Sequence, residues 1–141
     1  HPPRQSFREL RLRAARRRRS AFPPDTVFAA WWAGTTGYFS DRPVINLDGV
    51  INSGHYFRRY LLEDDVSAYL LRDGPAQYIA DYFWRDPLTS GANRGWRIFW
   101  WEYEKHYLCY VLRDRLEIVY KDLYRAEAGF YILRIVKTAP R

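Results

Sequence analysis

The sequence predicts an α/β fold: a Rossmann-like three-layer core with a mixed sheet, extended at its C-terminal end by antiparallel, aromatic-rich strands. Three observations predict it. Between residues 25 and 83, short apolar runs alternate with stretches of helical spacing, the pattern of parallel strands joined by crossover helices. After residue 95 the helical spacing disappears and aromatic, β-branched runs take over. The chain of 141 residues is 48% hydrophobic and 18% aromatic, which suits one domain with a packed core and not a disordered segment.

Residues 4 to 19, "RQSFRELRLRAARRRR", read as a helix, with Phe7, Leu10 and Ala14 on one face and arginine on the others. Pro23 and Pro24 end it. "TVFAAWW" reads as a buried strand, "AGTTGYF" as a turn with one helical turn, and "PVINL" as a second buried strand. "SGHYFRRYLLE" places Tyr56, Phe57, Tyr60 and Leu61 on one stripe, with Ser53 as the N-cap. "DDVSAYLLRDG" is a further helix, with Val66, Tyr69 and Leu70 inward and Gly74 as its C-terminal stop. "AQYIADYF" is the third strand. A polar loop over 86 to 95 then leads to "WRIFWWEYE", "HYLCYVL", "LEIVY" and "GFYILRIVK", read as antiparallel strands with "RDR" at 113 to 115 as a hairpin connection. This divides the chain into an Arg-rich helix and linker over 1–22 and a single α/β domain over 23–141.

The net charge is +7, and much of the arginine precedes residue 20, so the basicity is assigned to that segment and not to the fold. Arg16, Arg17, Arg18 and Arg19 are candidates for contact with the phosphates of lipid or nucleic acid. The plainer reading is a solvated helix face. A single cysteine, Cys109, allows no internal disulfide. Methionine is absent even at position 1, so the chain reads as a fragment of a longer protein. No run approaches the roughly 20 apolar residues of a membrane-spanning helix, and there is no signal-peptide pattern.

The motifs of catalysis are missing. His1, His55 and His106 are scattered, without metal-ligand spacing, and no cofactor is expected. "AGTTGYF" lacks one glycine and the long helix of a dinucleotide fingerprint. No G-x-S-x-G elbow occurs. Cys109 falls inside a strand as a small hydrophobe. Glu63, Asp64 and Asp65 sit at a helix start, where acids complement the dipole.

The least ordinary stretch is "AWWAGTTGYFSDRPVINLDGVINS", residues 30 to 53. Gly34 and Gly37 suit tight backbone geometry, and Asp48-Gly49 turns the chain out of the second strand. Ligands of open α/β sheets bind beyond the carboxyl ends of the strands. A parallel sheet would place Trp32, Asn46 and Asp48 at that edge, with Tyr38 and Asn52 completing a candidate cleft. On the residues alone, Asp48 and Asn52 read first as caps of the following turn and helix.

The order Ala33, Gly34, Gly37, Tyr38, Phe39, Ser40, then Val44, Asn46, Leu47, Asp48, Gly49 and Asn52 resembles a segment in the C-terminal soluble part of bacterial multi-pass membrane glycosyltransferases of the GT-C class, related to protein O-mannosyltransferases and arabinosyltransferase-like enzymes. "YLLRDGPAQYIADYF" is similar to the helix and strand that follow there. Trp32 departs from the small or polar residue expected before Ala-Gly. The resemblance implies a parent enzyme that transfers sugar from a polyprenyl-phosphate donor to an acceptor on the outer face of the membrane. Its catalytic carboxylate would lie among transmembrane helices outside this chain. The present domain would then be extracytoplasmic, beside the transmembrane part of its own polypeptide, contributing to binding of a lipid-linked sugar or glycan acceptor or to stability. An anionic membrane surface would lie near the Arg-rich helix. The alternative from another class is a basic binding module for nucleic acid or an anionic polymer.

Overall fold

A computed structural model describes residues 7–30, 33, 41–47, 54–61, 66–83, 115–125 and 128–137. Helix α1 spans Phe7–Ala21, and strands β1 (Phe28–Ala30) and β2 (Val44–Asn46) follow. Helix α2 (Gly54–Tyr56) passes directly into a π-helical turn, Phe57–Leu61. Helix α3 (Val66–Ala68) does the same over Tyr69–Asp73. Strands β3 (Tyr78–Phe83), β4 (Leu116–Arg125) and β5 (Ala128–Ile135) complete the described elements.

The fold is α/β, built on a mixed five-stranded sheet in the order β2-β1-β3-β5-β4. β1 pairs in parallel with both β2 and β3, with Ala29 opposite Ile45 on one side and Ile79 on the other. β5 runs antiparallel to β3 and to β4. The short β1 is buried at all three positions, as a central parallel strand requires.

Strand alternation divides the buried side chains between two apolar clusters. Leu10 and Ala14 of α1 pack with Phe28, Ala80, Tyr82, Phe130 and Ile132. On the opposite face, Tyr56, Tyr60, Val66 and Leu70 pack with Ala29, Ile79, Phe83, Tyr131 and Leu133. Helix α1, set apart with the linker in the sequence reading, therefore closes one face of the sheet assigned to 23–141. The side chain of Phe7, expected on its buried face, lies outside the described residues.

Two local expectations change. "LEIVY" continues through Lys121, Asp122 and Leu123 to Arg125, because pairing with β5 carries the strand past its polar residues. Register shifts at Ile118/Tyr120 and Leu123/Arg125 adjust the facing of its side chains. Gly74 does stop its helix, but at φ −90°, ψ 159°, not in a left-handed cap. A Cβ there would come within 2.8 Å of the Tyr69 ring, so glycine is present for space. The Gly74 N–H closes the π-turn by donating to the Tyr69 carbonyl at 2.7 Å. "WRIFWWEYE", "HYLCYVL", Ser53 and residues 113–114 of "RDR" lie outside the described residues; Arg115 directly precedes β4.

Candidate functional site

The carboxyl ends of β1 and β2 stand side by side, with Ala30 opposite Asn46. The Phe28 N–H donates to the Pro43 carbonyl at 2.9 Å, and the Leu47 N–H donates to the Ala30 carbonyl at 2.8 Å. "VINL" thus enters and leaves its strand locked to "FAA". Asn46, at this edge, is buried at 9% exposure and carries a carboxamide. It can donate and accept hydrogen bonds but cannot act as acid or base. Trp32, Tyr38, Asp48 and Asn52 lie outside the described residues, so the structure locates Asn46 alone among the proposed cleft residues.

Tyrosines support this edge from the α2/α3 side. The Tyr56 hydroxyl donates to the Leu47 carbonyl at 3.0 Å. The Tyr56 ring meets that of Tyr69 edge-on at 4.8 Å, and Tyr69 lies 4.9 Å from Tyr60. The Tyr60 hydroxyl donates to Asp73 Oδ2 at 2.9 Å. Burial, and then the bond to Asp73, pushes the Tyr60 phenol up from its ordinary value. Lys137 Nζ donates to the carbonyls of Leu70 at 2.6 Å and Gly74 at 3.0 Å, capping the end of the second helical segment. His55, Phe57, Arg58 and Arg59 of this layer face solvent.

The arginine run is not one uniform face. Arg16, Arg17 and Arg19 are exposed, whereas Arg18 is fully buried. The Arg18 guanidinium carbon lies 5.4 Å from the Phe28 ring centroid and 5.6 Å from that of Phe130. Burial lowers its pKa to about 10, against the upward pull of Asp81 and then Tyr82. Asp81 is itself buried and accepts from the Tyr82 N–H at 2.8 Å. Arg13 Nε donates to Asp122 Oδ2 on β4 at 2.6 Å, which raises the arginine pKa further. Arg17 lies 5.9 Å from the Tyr120 ring. Arg42, in the segment entering β2, donates to the carbonyls of Arg19 at 2.7 Å and Phe22 at 3.0 Å. It satisfies carbonyl groups that the end of α1 leaves open.

Arg13, Arg42 and Asp81 did not stand out in the sequence, and Tyr56 was read only as part of an apolar stripe. Asp81 carried a usable signal, a charge inside the apolar run "YIADYF". Among the described residues, no group of three His, Cys, Asp or Glu side chains could hold a metal ion, and no helix is long and apolar enough to cross a membrane. No curated protein and no solved structure matches the chain. The family described as "Domain of unknown function (DUF8728)" matches residues 4–131, from before α1 into β5. The chain belongs to the DUF8728 family.

Proposed function

We propose that this chain is the soluble extracytoplasmic domain of a polytopic glycosyltransferase that uses a polyprenyl-phosphate-sugar donor. In this reading it is not catalytic alone. It aids acceptor or glycan binding, or stabilises the membrane enzyme, beside the transmembrane part of the same polypeptide. The observation that carries the reading is the placement of the "V-x-N-L" half of the motif. Asn46 is buried at the carboxyl end of a parallel strand, directly beside the strand that leads into "A-G-T-T-G-Y-F-S". In open α/β sheets that edge is where ligands bind. Two apolar clusters on opposite sheet faces support the finer architectural reading, a Rossmann-like three-layer core. The basic-module alternative is weakened, because Arg13 and Arg18 are engaged within the fold.

The test uses the natural full-length polypeptide. Its reading frame should carry several apolar segments of about 20 residues. Membranes containing it should transfer sugar from a polyprenyl-phosphate donor, and Asn46→Ala and Asp48→Ala should impair transfer at matched amounts of membrane-inserted protein. A reading frame without such segments would sink the reading. Fully active variants would reduce the motif to a structural role.

A further inference from the structure

The 15-residue α1 carries arginine at 8, 11, 13 and 16 to 19, against one acid, Glu9. The structure divides these charges by task. Arg13 ties the helix to Asp122 on β4, and Arg18 lies beneath it against Phe28 and Phe130. Arg42 fastens its C-terminal carbonyls. Arg16 and Arg19 do none of this. They are exposed, and at i, i+3 spacing they share one stripe, away from the buried line of Leu10, Ala14 and Arg18. The helix is thus held by one set of cations and presents another.

We infer that this outer stripe, Arg16 and Arg19, seats the domain on an anionic lipid surface. The inference rests on the glycosyltransferase reading, which puts a bilayer within reach, and deepens it by naming the face that meets the lipid. A convex row of guanidinium groups on a rigid helix is complementary to a plane of lipid phosphates, and each cation near such a surface adds its own increment of attraction. Single-stranded nucleic acid would need open ring faces beside the cations. On this side of the sheet Tyr120 is half-buried against the apolar cluster with Arg17 over its ring, and the other rings pack against each other. Phe22 contacts Phe28 at 5.3 Å and Tyr78 at 4.8 Å, and Tyr82 contacts Phe130 at 5.2 Å. The exposed aromatic Phe57 belongs to the opposite face.

The test is co-sedimentation of the full 141-residue chain with phosphatidylcholine vesicles, with and without phosphatidylglycerol. The chain should bind the anionic vesicles, bind the neutral ones far less, and lose binding as salt rises. R16Q/R19Q should weaken partitioning about 25-fold, about fivefold for each arginine. R58Q/R59Q removes the same charge from the opposite face and should leave partitioning unchanged. Both doubles alter exposed side chains, and the Arg42 bond to residue 19 is to its carbonyl, so both should keep the wild-type urea midpoint. Equal losses in the two doubles, or equal binding to neutral vesicles, would overturn the inference. So would tighter binding to a single-stranded oligonucleotide at matched salt that depended on Arg16 and Arg19. No sugar transfer is measured, so a negative result here leaves the glycosyltransferase reading standing, and a failed transfer assay leaves a positive vesicle result intact.

Discussion

Replacing Arg18 asks what a fully buried arginine contributes to the docking of α1. Burial lowers its pKa to about 10 despite Asp81, so its environment opposes the charged form. A drop of that size corresponds to about 3 kcal/mol at neutral pH. Two rings offset it, at 5.4 Å and 5.6 Å from the guanidinium carbon. Desolvated contacts of this kind contribute about 2 kcal/mol each. The opposing terms nearly cancel, so the charge itself is close to neutral for stability. The side-chain stem is another matter, because it fills space between Phe28, Phe130 and the helix. Arg18→Met keeps most of that volume and should change stability by no more than about 1 kcal/mol. Arg18→Ala leaves a cavity and should lower stability by about 3 kcal/mol.

The assay is urea unfolding followed by circular dichroism, with the slope checked for constancy. The pair of variants decides the matter, since each single result has two explanations. If Met is as damaging as Ala, the guanidinium and not its stem holds the helix, and desolvation and ring attraction do not cancel. If Met stabilises by more than about 2 kcal/mol, the rings contribute little and desolvation dominates.

Three further outcomes follow from other contacts. Gly129→Ala should lower stability by about 3 kcal/mol in the same assay, because its Cβ would press on the β4 backbone at Asp122 and lie 2.8 Å from Leu123 Cα. Tyr56→Phe removes the hydroxyl bonded to the Leu47 carbonyl and should cost about 1 kcal/mol; an unchanged midpoint would show that this bond does not hold the strand end. Burial raises the phenol pKa of Tyr60, Tyr69 and Tyr120, with a further push from the Asp73 bond at Tyr60 and from the Asp122 charge at Tyr120. The folded state therefore holds these protons more tightly than the unfolded chain. Their contribution should be fully present below the ordinary phenol pKa of about 10 and be lost as pH rises through the folded values. Phenolate absorbance in folded and urea-unfolded protein, measured beside stability against pH, checks the sign.

The sequence showed where elements lie more readily than what fills their buried faces. Leu10 and Ala14 were legible from their spacing. Arg18 continues the same line at i+4, yet a rule that sends arginine outward discards it. The spacing was the better guide, because a long stem can lie among rings wherever they accept the charge. The stop at Gly74 was legible, but its cause was not, since the Tyr69 ring that excludes a side chain comes close only in the folded π-turn. The π-turns themselves were hidden, because five residues are too few to separate their period from that of an α-helix. In the candidate cleft, the position of Asn46 at a parallel strand end was readable from "PVINL" and the turn after it. The Tyr56 bond that secures that end joins separate elements and leaves no local mark in sequence.

The division of labour among the arginines also decides how the two functional readings can be separated. With the basicity assigned to a segment outside the fold, deleting residues 4 to 19 would look like a clean way to remove charge. It is not clean, because the same deletion uncovers Phe28, Ala80, Tyr82, Phe130 and Ile132, and leaves Asp122 without Arg13. Exposing such a face would destabilise the chain and create a sticky apolar patch. Lost binding could then mean lost structure, and retained sedimentation could mean aggregation. Arg16 and Arg19 avoid both problems, because neither closes the core and the carbonyl of residue 19 keeps its bond to Arg42 in any substitution. Binding that survives their replacement does not use the exposed stripe, whatever polyanion is offered.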